Sequence, residues 1–410
     1  MQAAIMIRSV AIPLEGKLAA EAIEHVSAAP TPPLPAGFDR ELAWTLANLV
    51  RIAYSDYSRY DQQKDQGNLI QTGDRLWLPA DASHAPIDHF WLANENEDPS
   101  TDPATTALPG AASAYTVIDI LTYLAFNAGV PPEPEVDRFG FILERDLTDG
   151  GREVYLIFRG TMEPSEWFDD FQYKQIPFLM TDQGDQGAIG ATCLGFNKIY
   201  TDYRPGLAIT HKSLNRFSRS IDEAARQAAL QKHPEISKEH ASSMQKKVEQ
   251  ALGELLAQAK GSISIHVSGH SLGAALATIA ALHAAQVCDQ RQQGCDVDLY
   301  TFASPRVGDS RFASACNQRL RIFRIANSED LVPCLPPATL RVVGDEMNPS
   351  AYVERTRMVL ASLTGGVSDD IFEHVGIPVT FTAQLGEISS NHNMGYTYCL
   401  PLREMPGSGG

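Results

Sequence analysis

The chain has 410 residues, a formal net charge of −17, and 44% hydrophobic and 8% aromatic residues. That length and apolar share support one large α/β domain or two modest ones around a sizeable core, and exclude wholesale disorder. The acidic balance argues against nucleic acid, which needs a basic footprint, and against electrostatic capture of the whole chain by anionic lipid, but allows apolar adsorption to a neutral oil or zwitterionic surface.

No apolar run reaches the roughly 18–20 residues of a membrane-spanning helix. Met1 to Pro13 lacks the basic start and long apolar stretch of a signal peptide. The expectation is therefore a cytoplasmic protein, export by a signal-independent route, or the mature form of a secreted chain. Residues 1–38 end in the stiff, Pro-rich Pro30–Pro35 stretch. A helix is predicted at about 39–54, with Leu42, Leu46, Val50 and Ala53 on one stripe. Residues 55–113 read as loop-rich. A second helix is predicted around 115–128 from Val117, Ile118, Leu121, Leu124 and Phe126, stopped by Gly129, Pro131 and Pro132.

Phe139–Glu144 then leads through Asp149–Gly150–Gly151 into Glu153–Arg159, a predicted strand pair. The second strand is almost continuously apolar from Val154 to Phe158, which predicts a central position. A charged, helical stretch is predicted at about 212–260, ending in the amphipathic run Met244–Ala259. Strands follow at 264–270, 297–302, 320–325 and 376–382, with helices after Ser271, near 309–317 and from about 391. Strands alternating with helices from 139 onward predict an α/β fold with a mostly parallel sheet. The six cysteines contain no C-x-x-C pair, so a zinc site is not expected, and Cys288 and Cys295 are near enough in sequence to pair under oxidation.

Gly269–His270–Ser271–Leu272–Gly273 has the G-x-S-x-G spacing of a nucleophile elbow. A β-branched run precedes it and an alanine-rich helix follows. The sharp turn exposes the serine hydroxyl at a helix N-terminus, and the two glycines leave room for the close approach of strand and helix. A serine needs a base to take its proton and a third group to orient that base. On such elbows the order is serine, acid, histidine. Asp330, past the end of a predicted strand, is the acid candidate, with Glu329 its neighbouring rival. His374 and His392 are the base candidates. His392 is preferred because a loop or helix-start ring can swing to the serine, whereas a strand histidine is more often structural. His270, inside the elbow, reads as a local packing or hydrogen-bonding residue. The N–H of Leu272 is one donor for a developing oxyanion, and Thr161, ending Phe158–Arg159–Gly160–Thr161, offers the second.

Several segments in the same order resemble the class 3, or fungal-type, triacylglycerol lipases, over about residues 120–400. They are Ile157–Phe158–Arg159–Gly160–Thr161 with Trp167 and Asp170, Leu194–Gly195–Phe196 with Tyr200, the elbow, Tyr300–Thr301–Phe302–Ala303–Ser304–Pro305–Arg306–Val307–Gly308, Asp330 to Pro337, and His392 with Met394. The resemblance implies an α/β-hydrolase fold. Residues 1–113 would form an N-terminal extension and 114–405 the lipase domain, with a polar insertion at about 201–260. It implies Ser271, Asp330 and His392 as nucleophile, acid and base, Thr161 and Leu272 as oxyanion residues, and Asp170 as a support for that hole. It further implies a lid at 162–180, carrying Trp167, Phe168, Phe171 and Phe178. Thr192–Cys193 departs from the family's usual Val–His, which puts a structural hydrogen bond in doubt. The expected activity is cofactor-free, metal-free triacylglycerol hydrolysis at an oil–water or membrane interface. Phospholipase, diacylglycerol lipase (including bacterial effector-type), feruloyl-type esterase and catalytically silent lipid-binding readings are the alternatives.

Overall fold

The computed structural model describes residues 8–12, 34–62, 68–79, 86–93, 113–126, 134–161, 174–181, 184–186, 189–203, 230–233, 242–259, 261–336, 371–399 and 402. Its frame is one ten-stranded sheet. In chain order the strands are β1 (Arg8–Ala11), β2 (Arg75–Leu78), β3 (His89–Ala93), β4 (Ser113–Phe126), β5 (Pro134–Asp146), β6 (Arg152–Phe158), β9 (Ile263–His270), β10 (Asp296–Phe302), β11 (Arg321–Asn327) and β12 (Ile377–Phe381). The spatial order is β1-β3-β2-β4-β5-β6-β9-β10-β11-β12. From β6 to β12 the neighbours are parallel, and from β1 to β6 they are antiparallel. A separate pair joins β7 (Gln175–Pro177) to β8 (Ala191–Cys193). This is an α/β-hydrolase fold.

Helices cover both faces, as a buried parallel sheet requires. The α-helices are α1 (Arg40–Asp61), α2 (Leu194–Thr201), α3 (Met244–Gln258), α4 (Leu272–Gln290), α5 (Ser310–Arg319) and α6 (Ile388–Asn391). The period of two along β6 is explicit. Leu156 and Phe158 join the cluster under α3, α4 and α5, whereas Tyr155 and Ile157 join the cluster under α1. Helix α4 is apolar all round and long enough to cross a bilayer, but here it is core, buried from Leu272 to Ala285. Helix α3 fulfils the predicted amphipathic run: Met244, Val248, Leu252 and Leu255 face inward, and Ser243 caps its first turn. The remainder of the predicted 201–260 insertion lies largely outside the described residues.

Two predictions along the N-terminal half change. The helix expected around 115–128 is strand β4, paired along its length with β5. Its run of Tyr, Thr, Val and Ile favours a pleated surface. Register shifts between Val117 and Asp119, and between Leu121 and Thr122, move the apolar side chains from one face to the other. Those shifts produced the three- and four-residue spacing that read as a helix. The stretch expected to be loop-rich after residue 54 holds the last turns of α1 and strands β2 and β3. Together with β1 they join the antiparallel edge of the same sheet. Helix α1 starts where Asp39 accepts from the Leu42 N–H at 3.0 Å. It continues to Asp61 because its second half is also buried, with Asp56 paired to Arg138 at 3.3 Å.

Candidate active site

The turn from β9 into α4 places Ser271 at φ 60° and ψ −127°, in a region a non-glycine residue rarely occupies. Such strain costs about 1–3 kcal/mol and persists only where the surroundings enforce it. Here the Ser271 N–H donates to the Phe302 carbonyl at 3.0 Å, and the Ala274 N–H donates to the Ser271 carbonyl at 2.9 Å. A methyl added at Gly269 would collide with the Gly273 carbonyl, and one at Gly273 with the carbonyls of Arg159 and Phe158. The two glycines are thus steric requirements of the turn. Leu272 opens α4, where the first N–H groups have no intrahelical acceptor.

The end of β6 reaches the same turn. A methyl on Gly160 would sit 2.8 Å from the Ser271 Cβ. Thr161, the next residue, has a buried Oγ1 with no hydrogen-bond partner among the described residues. Tyr54 of α1 ties the two segments. Its phenol oxygen accepts from the Gly160 N–H at 2.9 Å and lies 2.8 Å from Nδ1 of His270. Burial, and then the neighbouring His392, hold His270 well below the ordinary histidine range, so it is neutral. Its ring lies 4.6 Å from that of His392.

His392 Nδ1 is 2.7 Å from Oδ2 of Asp330. The Tyr398 hydroxyl donates to the same oxygen at 2.6 Å, and the Val332 N–H donates to Oδ1 at 2.9 Å. Both members of the pair are almost wholly buried. Burial and the Asp330 carboxylate push the Tyr398 phenol well above its usual value, which keeps it a donor. Asn327, ending β11, fastens the two loops. Its amide donates to the Ala383 carbonyl at 2.9 Å and the Asn391 carbonyl at 3.1 Å, and its oxygen accepts from the Ala383 N–H at 2.9 Å. His392 does not start a helix, as the sequence suggested. It caps the C-terminal end of the four-residue α6. Asn393 makes the turn that follows by accepting from the Tyr396 N–H at 3.1 Å.

A cavity of about 500 Å³ opens onto Thr161, His270 and His392. A polar stripe of α1, Arg51, Ser55, Ser58 and Gln62, lines it together with Ile12, Tyr54 and Met394. Leu331, beside Asp330, and Ile388, at the start of α6, are 49% and 53% exposed on the two loops that carry the acid–base pair. Glu329, the rival acid, gives its backbone to Asn327 and Asn391. His374 sits apart, before β12. Burial, with Arg324 and Arg306 nearby, depresses it to about 3. Among the described residues no cluster of His, Cys, Asp and Glu has the makings of a metal site.

Asp170, Trp167, Phe168 and Phe171 lie outside the described residues. Phe178, expected on a lid, is fully buried and packs on Phe312 at 5.3 Å between ring centroids, which makes it core. The sequence reading missed Tyr54, Tyr398 and Asn327. Nothing local marks Tyr54 or Tyr398, whose partners lie 216 and 68 residues away. Asn327 sits in the acid-bearing segment and was open to notice as a strand-end asparagine.

Residues 155–340 match the family Lipase (class 3). A rice protein, phospholipase A1-II 4 of Oryza sativa subsp. japonica, is 32% identical over 239 residues, 55% of this chain and 53% of that protein. Phospholipase A1-IIgamma of Arabidopsis thaliana is 29% identical over 205 residues, 48% of this chain and 42% of that protein. The chain thus spans about half the length of these curated relatives. Among solved structures, a mono- and diacylglycerol lipase from Aspergillus oryzae has a TM-score of 0.32 at 17% identity, covering 72% of this chain and 73% of that one. The Rhizomucor miehei triacylglyceride lipase has a TM-score of 0.29 at 19% identity, covering 54% and 62% respectively.

Proposed function

We propose that the chain, whose residues 155–340 match the family Lipase (class 3), is a serine hydrolase of lipid carboxylic esters, acting on glycerophospholipids. The observation that carries the reading is the buried Asp330–His392 pair at 2.7 Å, sharing a cavity rim with Thr161 beside the strained Ser271 turn. Asp330 on Nδ1 fixes the His392 tautomer with a free Nε2. That nitrogen takes the Ser271 proton as Oγ attacks the acyl carbonyl. The Leu272 N–H, with the N–H and hydroxyl of Thr161, holds the oxyanion, each donor contributing on the order of 3 kcal/mol to the transition state. His392 then protonates the departing alcohol. Water, deprotonated by the same ring, attacks the acyl-enzyme and releases the fatty acid and the serine.

The polar α1 wall and the names of the plant relatives favour a charged headgroup over a third acyl chain. Triacylglycerol is the competing substrate. In this proposal Asp170 supports the oxyanion loop. The 162–180 segment acts as a lid through Trp167, Phe168 and Phe171, with Phe178 as its buried anchor. Leu331 and Ile388 touch the lipid surface.

The test is release of fatty acid from phosphatidylcholine vesicles and from a triolein emulsion, with fluorophosphonate labelling in parallel. We expect labelling and vesicle hydrolysis in the wild type and neither in Ser271→Ala. Hydrolysis by Ser271→Ala within tenfold of wild type overturns the nucleophile. Hydrolysis of triolein alone overturns the phospholipid reading and leaves the esterase chemistry. A jump in rate as a short-chain ester passes from monomers to aggregates is expected of the lid, and a smooth saturation curve refutes it.

A further inference from the structure

We propose that Arg306, Arg324 and His374 form a binding site for a tetrahedral oxyanion, inorganic phosphate or a phosphate monoester headgroup, separate from the catalytic cavity. Three segments converge there. Arg324 lies on β11, in register with Thr301 of β10 and Pro378 of β12. Arg306 lies on the loop after β10, and His374 just before β12. An isolated bridge between Gly308 and Glu373 draws the latter two together. Arg324 alternates with Phe323 and Ile325, which pack under α1, so it faces away from the catalytic cavity.

The cluster is cationic and lacks a counter-charge among the described residues. Among the described residues Arg324 makes neither a hydrogen bond nor an ion pair, and its Nε is buried without a partner. Nδ1 of His374 and Oγ1 of Thr301, the strand neighbour of Arg324, are likewise buried without a partner. Buried polar atoms in native proteins are satisfied by protein, water or ligand, and several orphans at one place call for a common partner. Water would satisfy the hydrogen bonds but not the charge. Burial lowers both arginines, Arg324 further through its neighbour Arg306, and no carboxylate among the described residues acts on either. One oxyanion would answer all of these groups at once, in the manner of arginine–phosphate recognition.

The site is joined to the loop that carries Asp330. Arg306 Nη1 donates to the carbonyls of Cys334 and Pro336 at 2.5 and 2.8 Å, and its backbone N–H donates to the Leu335 carbonyl at 2.7 Å. A bound anion would therefore brace the 330–336 loop from outside the catalytic cavity.

The experiment is thermal unfolding of the full chain at pH 7 in sodium phosphate against sodium chloride at matched ionic strength. Sedimentation with phosphatidylcholine vesicles, with and without phosphatidic acid, runs alongside. Phosphate at ten times its Kd is expected to raise Tm by about 2 °C for a chain of this size. Ser271→Ala should keep the response, which separates this site from the hydrolase reading. Arg324→Gln should lose it, yet unfold in chloride at the same or a higher temperature, because an uncompensated charge has gone. Arg324-dependent sedimentation on phosphatidic acid without a response to inorganic phosphate assigns a lipid headgroup, and the reverse assigns the free ion. The proposal is overturned if neither phosphate nor phosphatidic acid differs from its control, or if the response survives Arg324→Gln. It is equally overturned if Arg324→Gln alone unfolds several degrees lower, since Arg324 then already has a carboxylate partner.

Discussion

Replacing Tyr54 by Phe removes one oxygen and keeps the ring. That oxygen is the acceptor for the Gly160 N–H at 2.9 Å and the partner of His270 Nδ1 at 2.8 Å. His270 is fully buried, so both groups lose a partner that water does not easily replace. Each unsatisfied buried group costs about 1–3 kcal/mol, which gives about 2–6 kcal/mol for the pair. Part of this appears as lower stability. The rest appears as freedom of the loop that ends at Thr161, an oxyanion donor in the proposed mechanism. A misplaced donor acts on the transition state and not on the bound ester, so kcat should fall about 10- to 100-fold with KM little changed. The assay is steady-state hydrolysis of a soluble short-chain ester, beside a urea unfolding curve. A Tyr54→Phe variant with kcat within twofold of wild type and the same midpoint would show that the Gly160–Tyr54–His270 bridge positions nothing.

Three further outcomes test other parts of the structure. His266 lies between Asp298 at 3.3 Å and Glu153 at 3.8 Å, and although burial opposes its charged form, the two carboxylates raise its pKa above the ordinary 6.5. A raised histidine stabilises fully below about 6.5 and loses that contribution as pH climbs through the folded value, so the stability gap between wild type and His266→Gln should narrow above that pH; a gap constant from pH 5.5 to 9 contradicts it. Gly273→Ala sets a methyl into the Arg159 carbonyl and should cost about 1–3 kcal/mol or more, together with most activity, read by calorimetry and ester turnover; a fully active variant of unchanged Tm refutes the steric account. Leu331→Ser with Ile388→Ser should lower vesicle hydrolysis several-fold and leave soluble-ester turnover intact, and an equal fall on both substrates removes these side chains from the lipid surface.

What the sequence disclosed followed from local chemistry. The elbow, the continuous apolar run of β6 and the alternation after residue 139 are short-range signals, and each has its counterpart in the sheet. Asp330 follows the end of β11, whereas His392 lies beyond α6, and the two side chains meet at 2.7 Å. β4 was misread because two bulges converted a period of two into something close to a helical period. The supporting residues were hidden for a different reason. Tyr54, Asn327 and Tyr398 act through single oxygen or nitrogen atoms that meet partners across the sheet, and an isolated tyrosine or asparagine carries no periodicity. Arg324 was equally silent, since its lack of a counter-charge among the described residues is a property of three segments together.

The Tyr54 bridge also bears on how the protein comes into being. Its two ends are 216 residues apart, and the family-matched stretch 155–340 contains neither Tyr54 nor His392. Contacts of that span form late, because the chain must close a long loop before they repay it. A growing polypeptide that has already folded its elbow still lacks His392, the proposed base, which follows β12 in the chain. In the proposed mechanism, hydrolytic competence therefore reports completion of the tertiary structure, and local unfolding around Tyr54 or His392 should abolish it while the central strands persist.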